Sequence, residues 1–330
     1  MGRNRNNTLD IIKLAASYMV VFIHILFYGE IGIAVDALAR FAVPLFFLVS
    51  GYYSYNIPPE KIKLRIVHLI KLLIFAVLVY TGYDILQLFL AQDIDGIGQY
   101  FSRYFNPRVL KKFFLYNVPV HTEHLWYLLA SIYVYLVFCV STALHISDKL
   151  IAAASVMLLI LHLFLGEFLS FLDIQITRYL LRNFLLMGIP FFGLGILAKK
   201  HRHKLLKLPD RFIIISAIIG VLETVLSRHF FVENEFYVGT LFLLFSLTVL
   251  FIKYPNIKFP PILIALSECS TYIYILHPMV VSVFADIYAM LGINNSSVAF
   301  QMVQPLVVCV FSTVIAYAFV KLTKHSRNHM

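Results

Sequence analysis

The chain has 330 residues, of which 61% are hydrophobic and only 13% are charged, and its formal net charge is +10. With a mean hydropathy of +0.84, this composition leaves no room for a separate soluble domain and predicts a membrane protein. The positive charge is explained by membrane topology and by affinity for anionic lipid, so a nucleic-acid partner is not expected.

Apolar stretches long enough to cross a bilayer, at about 20 residues per span, recur along the whole chain. They cover roughly residues 9–28, 35–55, 66–90, 124–143, 149–166, 182–198, 211–227, 236–252, 262–290 and 299–322. We therefore predict an all-α fold, a polytopic membrane bundle of about ten transmembrane helices, with residues 1–330 forming a single integral membrane domain. The first stretch is too long and too interrupted by charge for a cleaved signal peptide, so the mature protein is expected to keep it.

Lysines and arginines are concentrated in the connections that would share a side with the N-terminus. Because these residues favour the cytoplasmic side, both termini are expected on that side of the cell membrane. The longest connection, 91–123, would then lie outside, and its mixture of aromatic and basic residues predicts an interfacial helix on the outer leaflet. A loop of this length in a compact bundle is commonly a lid or a binding element.

The first apolar stretch carries a polar stripe. Asp10, Lys13, Ser17 and His24 recur at spacings of three, four and seven residues, which places them on one helical face. At 1.5 Å rise per residue, Lys13 and His24 would lie roughly 16 Å apart along the helix axis. Charged groups cost several kcal/mol in hydrocarbon unless they face a bundle interior or a wet cavity, so the stripe predicts a functional site.

The second stretch contains Asp36 and Arg40 one helical turn apart, and Pro44 follows one turn later. One interpretation is an internal Asp/Arg pair with a proline kink repaired by neighbouring groups. The other is functional, because His24 and Arg40 would both lie roughly 6–8 Å below the outer boundary of the bilayer. At the same depth, the two side chains are expected to meet.

The third stretch opens on the cytoplasmic side with a run of cationic and titratable side chains. A solvated face against lipid headgroups is the usual explanation for such a run. Two turns into the span, Lys71 would be buried unless it had an anionic partner, which favours a phosphate-rich ligand entering from the cytoplasm. The candidate residues for that ligand are Lys61, Lys63, Arg65, His68 and Lys71.

The outer start of the fourth stretch combines His121, Glu123 and His124. Their spacing offers no helical histidine pair at i and i+4, so a metal site is not expected. An acid/base or substrate-binding role at the outer mouth is favoured instead. Arg182, at the start of the sixth stretch, would lie near the same outer level.

The ninth stretch is interrupted by Ser270 and by His277, which precedes Pro278 near mid-membrane. A histidine in that position often satisfies a backbone carbonyl that the proline has freed. The alternative is that the buried imidazole takes part in chemistry. The sequence leaves both interpretations open.

Four stretches together resemble a known family: LDIIKLAASYMVVFIH, RFAVPLFFLVSGYY, EHLWYLLASIYVYL and LSECSTYIYILHP. In that order they are similar to motifs of the acyltransferase 3 family of integral membrane acyltransferases, over essentially the whole chain. The first is the most specific, since it resembles a basic residue followed by ten residues and a histidine. Lys13 stands where arginine is common, so a bidentate phosphate contact would become a point-charge contact. Many relatives carry an extra extracytoplasmic domain, which is not expected here.

The resemblance implies transfer of an acyl group, often acetyl, from cytoplasmic acyl-CoA to a hydroxyl or amine of an envelope glycan or lipid-linked saccharide. His24 would then act as general base, or less favourably as a transient acyl carrier. Arg40 would stabilise the tetrahedral oxyanion or hold the thioester carbonyl, and Asp36 or Glu123 would orient the imidazole. The acyl-CoA site would consist of Lys13, Lys61, Lys63, Arg65, His68 and Lys71, and the secondary candidates are His124, Arg182, Ser270 and His277.

Two other classes of function fit parts of the pattern. A transporter of small solutes or lipid-linked sugars would also use intramembrane charges and a basic cytoplasmic rim. Against it, the two halves of the chain show no matching pair of Gly/Pro-interrupted helices, the sequence sign of an inverted repeat. A purely structural membrane subunit would leave the buried charges without a purpose.

Overall fold

The computed structural model describes residues 5–104, 106–119, 123–230, 233–293 and 296–328, with side chains described as far as residue 323. These residues form helices and turns, and no strand occurs among them. The helices are α1 (Asn7–His24), α2 (Gly29–Ala39), α3 (Ala42–Tyr52), α4 (Pro59–Leu90), α5 (Ile94–Tyr104), α6 (Pro107–Tyr116), α7 (Trp126–Ala143), α8 (Asp148–Leu163), α9 (Leu169–Phe171), α10 (Arg178–Leu181), α11 (Ile189–Lys200), α12 (Arg202–Leu205), α13 (Asp210–Phe230), α14 (Val238–Lys253), α15 (Pro261–Ser267), α16 (Ser270–Leu291) and α17 (Val298–Asn328). A 3₁₀ turn, Glu123–Leu125, precedes α7, and π-helical turns, Phe164–Phe168 and Phe184–Gly188, precede α9 and α11.

Every predicted apolar stretch overlaps at least one of these helices. In the described part of the chain, 6 helical segments are long and apolar enough to cross a membrane: Gly29–Tyr52, Glu123–Ala143, Asp148–Phe171, Asp210–Phe230, Ser270–Leu291 and Val298–Thr323. The chain is therefore a polytopic helical membrane protein. The count of ten spans and the orientation of the termini stay predictions.

The chain divides into two compact units that interleave along the sequence. The first unit comprises Met1–Phe46, Glu167–Ile174 and Lys200–Met330, and the second comprises Phe47–Gly166 and Gln175–Lys199. The first unit has an apolar core where α1, α16 and α17 pack together, and its buried members include Leu14, Val21, Ile273, Val280, Val308 and Ala316. The single domain of residues 1–330 stays a prediction.

Helix α1 begins and ends at identifiable local signals. The side chain of Asn6 accepts a hydrogen bond from the backbone N–H of Leu9 at 2.9 Å, which caps the N-terminus. Asp10 lies in the first turn, where a carboxylate complements the helix dipole. The backbone becomes extended at Ile25, so His24 is the last residue of the helix.

The predicted helix of residues 35–55 is interrupted at Arg40, which is the C-cap of α2. Pro44 lies in the first turn of α3, where its missing N–H costs no helical hydrogen bond. The chain thus avoids a proline inside a continuous helix by ending one helix and starting another. This break sets Arg40 at a helix end.

Close helix packing shapes the second unit. A Cβ atom at Gly51 would meet the carbonyl oxygen of Phe192, and one at Gly195 would meet that of Leu48. Both contacts join the later part of α3 to α11, so glycine is required for this approach. The connection that follows α4 forms two short helices, α5 and α6, where the sequence predicted one, because Asn106 caps α6 by accepting from two backbone N–H groups.

Candidate active site

The polar stripe of α1 faces the junction of α15 and α16 in the first unit. Asp10 accepts from Arg5 Nε at 2.8 Å and pairs with Lys13 Nζ at 2.8 Å. Arg5 also pairs with Glu268, at 3.0 Å, just beyond the end of α15. A four-residue ionic network therefore holds the start of α1 against that junction, and Lys13 keeps 34% of its side chain exposed.

One turn further along α1, the stripe continues through Ser17. Its hydroxyl donates to backbone carbonyls and lies 3.0 Å from the oxygens of both Lys13 and Ser270. The Ser270 hydroxyl, in turn, donates to the carbonyl of Ser267 at 2.7 Å. These bonds give Ser270 a role in joining α1 to α16, and its secondary candidacy as a site residue stays a prediction.

At the other end of the stripe, His24 lies against His277. The centroids of the two imidazole rings are 5.0 Å apart, and the ring planes are tilted by 51°. His277 is fully buried, whereas His24 is exposed. The first and ninth apolar stretches, each singled out separately in the sequence, thus come together at a pair of histidines.

The buried partner is held by its own helix. His277 Nδ1 lies 2.9 Å from the carbonyl oxygen of Tyr274 and 3.1 Å from that of Ile273. A carbonyl oxygen accepts, so Nδ1 carries the proton and Nε2 is the acceptor nitrogen of the neutral ring. Pro278 cannot bond to Tyr274, four residues earlier, and His277 satisfies the carbonyl that is freed, as the proline interpretation predicted.

This arrangement gives the two imidazoles different chemical capabilities. His24 lies at the end of α1 with an exposed side chain, so it is the ring that can reach a bound ligand. His277 is fixed and shielded, so it is suited to positioning its neighbour. Two imidazolium ions this close would repel one another, which favours at most one positive charge on the pair.

A second polar cluster in the first unit surrounds Arg40, whose side chain is only 4% exposed. Arg40 Nη2 lies 2.7 Å and 2.9 Å from the two carboxylate oxygens of Asp36, and 2.8 Å from Glu233. Its Nη1 lies 3.3 Å from Glu235. Arg228 Nε approaches Asp36 to 3.9 Å.

This cluster, Asp36, Arg40, Arg228, Glu233 and Glu235, is termed the Arg40 cluster below. It joins the C-cap of α2 to the connection between α13 and α14. Two guanidinium groups face three carboxylates, so the formal charge is −1, which does not favour a developing oxyanion. The geometry thus supports the internal-pair interpretation, enlarged by two carboxylates from a distant loop.

The sequence predicted that His24 and Arg40 would meet. Within the described residues, the hydrogen bonds and ion pairs of Arg40 all go to carboxylates, and none goes to His24. An oxyanion would therefore compete with these carboxylates for the Nη groups of Arg40. Its oxyanion role, and an orienting role of Asp36 toward His24, stay predictions.

The predicted acyl-CoA residues are divided between the two units, since Lys13 lies in the first and the others lie on α4 in the second. Arg65 donates to Ser54 Oγ at 2.7 Å, to the Tyr135 hydroxyl at 3.2 Å and to the Tyr53 carbonyl at 2.9 Å. In the same unit, Lys199 Nζ lies 4.8 Å from the centroid of the Tyr52 ring. Arg65 and Lys199 therefore flank the C-terminal end of α3, an arrangement that the sequence pattern had not indicated.

The remaining cations of α4 face outward. Lys61, Lys63, His68 and Lys71 are exposed. The expectation that Lys71 would be buried is wrong, because the side of α4 that packs inward carries Ile62, Leu72 and Ala76. Contact with lipid headgroups and contact with a phosphate ligand remain alternatives for this exposed cation.

The predicted outer-mouth residues also lie in the second unit. Glu123 is 79% exposed and lies 3.6 Å from Arg182 Nη1. His124 is buried, with its ring edge-on to Tyr80 at a centroid distance of 5.6 Å. His121 lies outside the described residues. These contacts tie the start of α7 to its own unit, and catalytic or binding roles for Glu123, His124 and Arg182 stay predictions.

Comparison with known proteins gives a family match. A family model described as an acyltransferase domain matches residues 6–321, which is essentially the whole chain. No match was found among curated proteins or among solved structures. The matched range contains the α1 stripe, the histidine pair and the Arg40 cluster.

Proposed function

The chain belongs to this acyltransferase family, and we propose that it takes an acyl group from cytoplasmic acyl-CoA and passes it to an envelope glycan or a lipid-linked saccharide. Family membership confirms the resemblance and makes the chain an integral membrane acyltransferase. The proposal adds the donor, with acetyl-CoA as the simplest case, and a hydroxyl group, or else an amine, as the site of transfer. It also adds ten spans in the cell membrane with both termini cytoplasmic.

The observation that carries this proposal is the polar face of α1. The face begins with Asp10 and Lys13, which pair with each other, and ends at the histidine pair of His24 and His277. Lys13 and His24 are separated by roughly 16 Å of helix, a length of the same order as the pantetheine arm of CoA. A nucleotide held near Lys13 would therefore place its thioester near His24.

The proposed reaction is a direct transfer. His24, with a reference pKa near 6.5, takes the proton of the glycan hydroxyl as its oxygen attacks the thioester carbonyl carbon. The C–S bond breaks, the thiolate of CoA takes the proton back from the imidazolium, and the products are the ester and the free thiol. His277 positions the ring of His24, and the Arg40 cluster anchors the end of α2.

Purified protein in lipid nanodiscs tests this function directly. With acetyl-CoA and an extract of envelope saccharides, we expect release of free CoA thiol that depends on the saccharide, with acetyl groups appearing on it by mass spectrometry. A transporter would bind or move a solute while leaving the thioester intact. Persistence of acetyl-CoA across a range of saccharide extracts would contradict the proposal.

The donor site gives a kinetic prediction. Replacing Arg65 and Lys71 together by glutamine is expected to raise the KM for acetyl-CoA, because each lost charge-assisted phosphate contact removes about 1.5–3 kcal/mol. The KM for the saccharide should change little. Initial-rate kinetics with each substrate varied in turn measure both values.

Arg211→Gln is the matched control, because Arg211 is another predicted cytoplasmic cation at the start of α13 and lies outside the proposed site. Since Arg65 also bonds to Ser54 and Tyr135, each variant must first unfold at a temperature close to that of wild type. An unchanged KM for acetyl-CoA in a stable double variant would remove both residues from the donor site. If the double variant raises the KM for acetyl-CoA, Lys71→Gln alone shows whether Lys71 contributes. An unchanged KM in that single variant would leave lipid headgroups as the contact of Lys71.

A further inference from the structure

A polar groove lies between the end of α4 and helix α5, entirely within the second unit. Its volume is about 690 Å³, within the range of about 300–1,000 Å³ that is usual for small-molecule sites. Neither the family match nor the mechanism above assigns it a role. Its polar and aromatic lining includes Asp84, Gln87, Asp93, Gln99, Arg103 and Tyr104.

The groove is held in shape by bonds between its two helices. Tyr100 is buried beneath it and donates from its hydroxyl to Asp84 at 3.1 Å. Burial raises the pKa of Tyr100 above its ordinary value, so the hydroxyl stays protonated and keeps donating. Asp93 accepts from the backbone N–H of Gly96 at 2.8 Å, which caps the first turn of α5.

The lining suits a ligand rich in hydroxyl groups. The carboxylates accept hydrogen bonds, Arg103 donates them, and the amides of Gln87 and Gln99 do both. The ring of Tyr104 is tilted against that of Tyr100, with centroids 4.7 Å apart, and the guanidinium carbon of Arg103 lies 5.8 Å from the Tyr104 centroid, so the lining combines an aromatic ring with a cation. An apolar lipid tail would instead desolvate these charged groups without bonding to them.

The charge of the lining narrows the class of ligand. Asp84 and Asp93 outweigh Arg103, so the formal charge of the groove is −1. Phosphate and carboxylate groups are disfavoured there, which excludes the nucleotide of acyl-CoA as the natural occupant. In the proposed topology, the end of α4 also lies on the outer side, where the saccharide arrives.

We propose that this groove binds the saccharide that receives the acyl group, and that it selects a neutral or amino-bearing sugar over an acidic one. This inference rests on the proposed function. The aromatic ring of Tyr104 packs on the C–H face of the sugar, and the polar side chains bond to its hydroxyls. Asp84 and Asp93 attract an ammonium group where the sugar carries one.

Saturation-transfer NMR on the purified full-length protein in nanodiscs tests the groove without requiring catalysis. The probes are chitotriose as a neutral sugar, the chitosan trimer as an amino sugar and trigalacturonate as an acidic one. We expect binding of the first two, and a Kd raised at least about tenfold in Gln87→Ala/Tyr104→Ala, since the double variant removes a hydrogen-bonding amide and an aromatic contact. Asp93→Asn retains an oxygen that can cap α5. This variant should weaken binding of the chitosan trimer more than binding of chitotriose, because it removes a charge that attracts the ammonium groups.

Asp95→Asn is the matched control, because Asp95 lies in the first turn of the same helix and is not part of the groove lining. It should leave binding of every probe unchanged. Preferential binding of trigalacturonate, equal binding by groove and control variants, or failure of all three probes to bind would overturn the inference.

The same proteins separate this inference from the proposed function. If the wild type transfers acyl groups and the groove variants have the same KM for the saccharide, the groove is not the saccharide site, whereas the proposed function stands. If the groove variants abolish saccharide binding and the wild type consumes no acetyl-CoA under any condition, the groove is a saccharide site, whereas the proposed acyl transfer is rejected.

Discussion

Replacing Arg40 with methionine is expected to destabilise the protein by about 3–5 kcal/mol, because removing one partner leaves buried charge without compensation. The guanidinium group is 4% exposed, and it bonds to Asp36, Glu233 and Glu235. Chemical unfolding in detergent micelles, followed by circular dichroism, measures the loss. Arg40→Lys keeps the positive charge but lacks the planar guanidinium group, so it should be destabilised by less than Arg40→Met.

A compensated variant distinguishes a positioning role from a catalytic one. In Arg40→Met/Asp36→Asn/Glu235→Gln, the remaining charges of the Arg40 cluster, on Arg228 and Glu233, balance. We expect stability to recover and acyl transfer to return to within about tenfold of wild type. The reason is that the cluster then carries no excess negative charge to destabilise the connection between α13 and α14. A stable protein whose kcat stays about 10²–10³ below wild type would instead assign Arg40 to the oxyanion, as the sequence predicted.

The helices and the α1 stripe were predictable from the sequence for a simple reason. Both depend on periodicity along one segment, and the spacing of Asp10, Lys13, Ser17 and His24 fixes their common face wherever the helix packs. The structure places that face against α15 and α16. The choice of partner helix was not available from α1 alone, although LSECSTYIYILHP had been singled out for its own interruptions.

The Arg40 cluster shows why other parts could not be predicted. Asp36 was found because it lies one turn from Arg40, whereas Glu233 and Glu235 follow almost two hundred residues later in a connection that looks like an ordinary solvated loop. Such pairing depends on how α2 and α13 pack. The predicted burial of Lys71 was wrong for a related reason. Depth in a span does not say whether a side chain faces the protein or its surroundings, and the face of α4 that packs inward carries Leu72 and Ala76.

His24→Gln is the second variant with a large expected effect, a loss of at least about 10²–10⁴ in the rate of acyl transfer. Glutamine keeps a polar group at the end of α1 and cannot take the proton of the saccharide hydroxyl. The protein should fold normally, because His24 is exposed and its removal opens no cavity. It should also bind acyl-CoA as wild type does, since the proposed nucleotide site near Lys13 lies roughly 16 Å away.

His277→Asn is the matched variant on the other ring of the pair. Its amide can donate to the Tyr274 carbonyl as His277 Nδ1 does, so the proline site in α16 stays satisfied. If His277 positions His24, this variant should lower kcat by less than His24→Gln and should shift the pH dependence of kcat. A merely structural histidine would leave that pH profile unchanged, because the carbonyl bond is preserved.

The decisive measurement joins transfer and binding in one preparation of His24→Gln. If His24 only lines a water-filled crevice, replacing it with glutamine should change the rate of acyl transfer little, because a polar side chain is enough at that position and no proton acceptor is needed. A general base is different, since its loss removes the path of the proton while leaving donor binding intact. Retained affinity for a non-hydrolysable acetyl-CoA analogue with lost transfer is therefore the expected pair of results. Retained transfer would reject His24 as the base and would return the chemistry to His277 or Glu123, which the sequence also singled out.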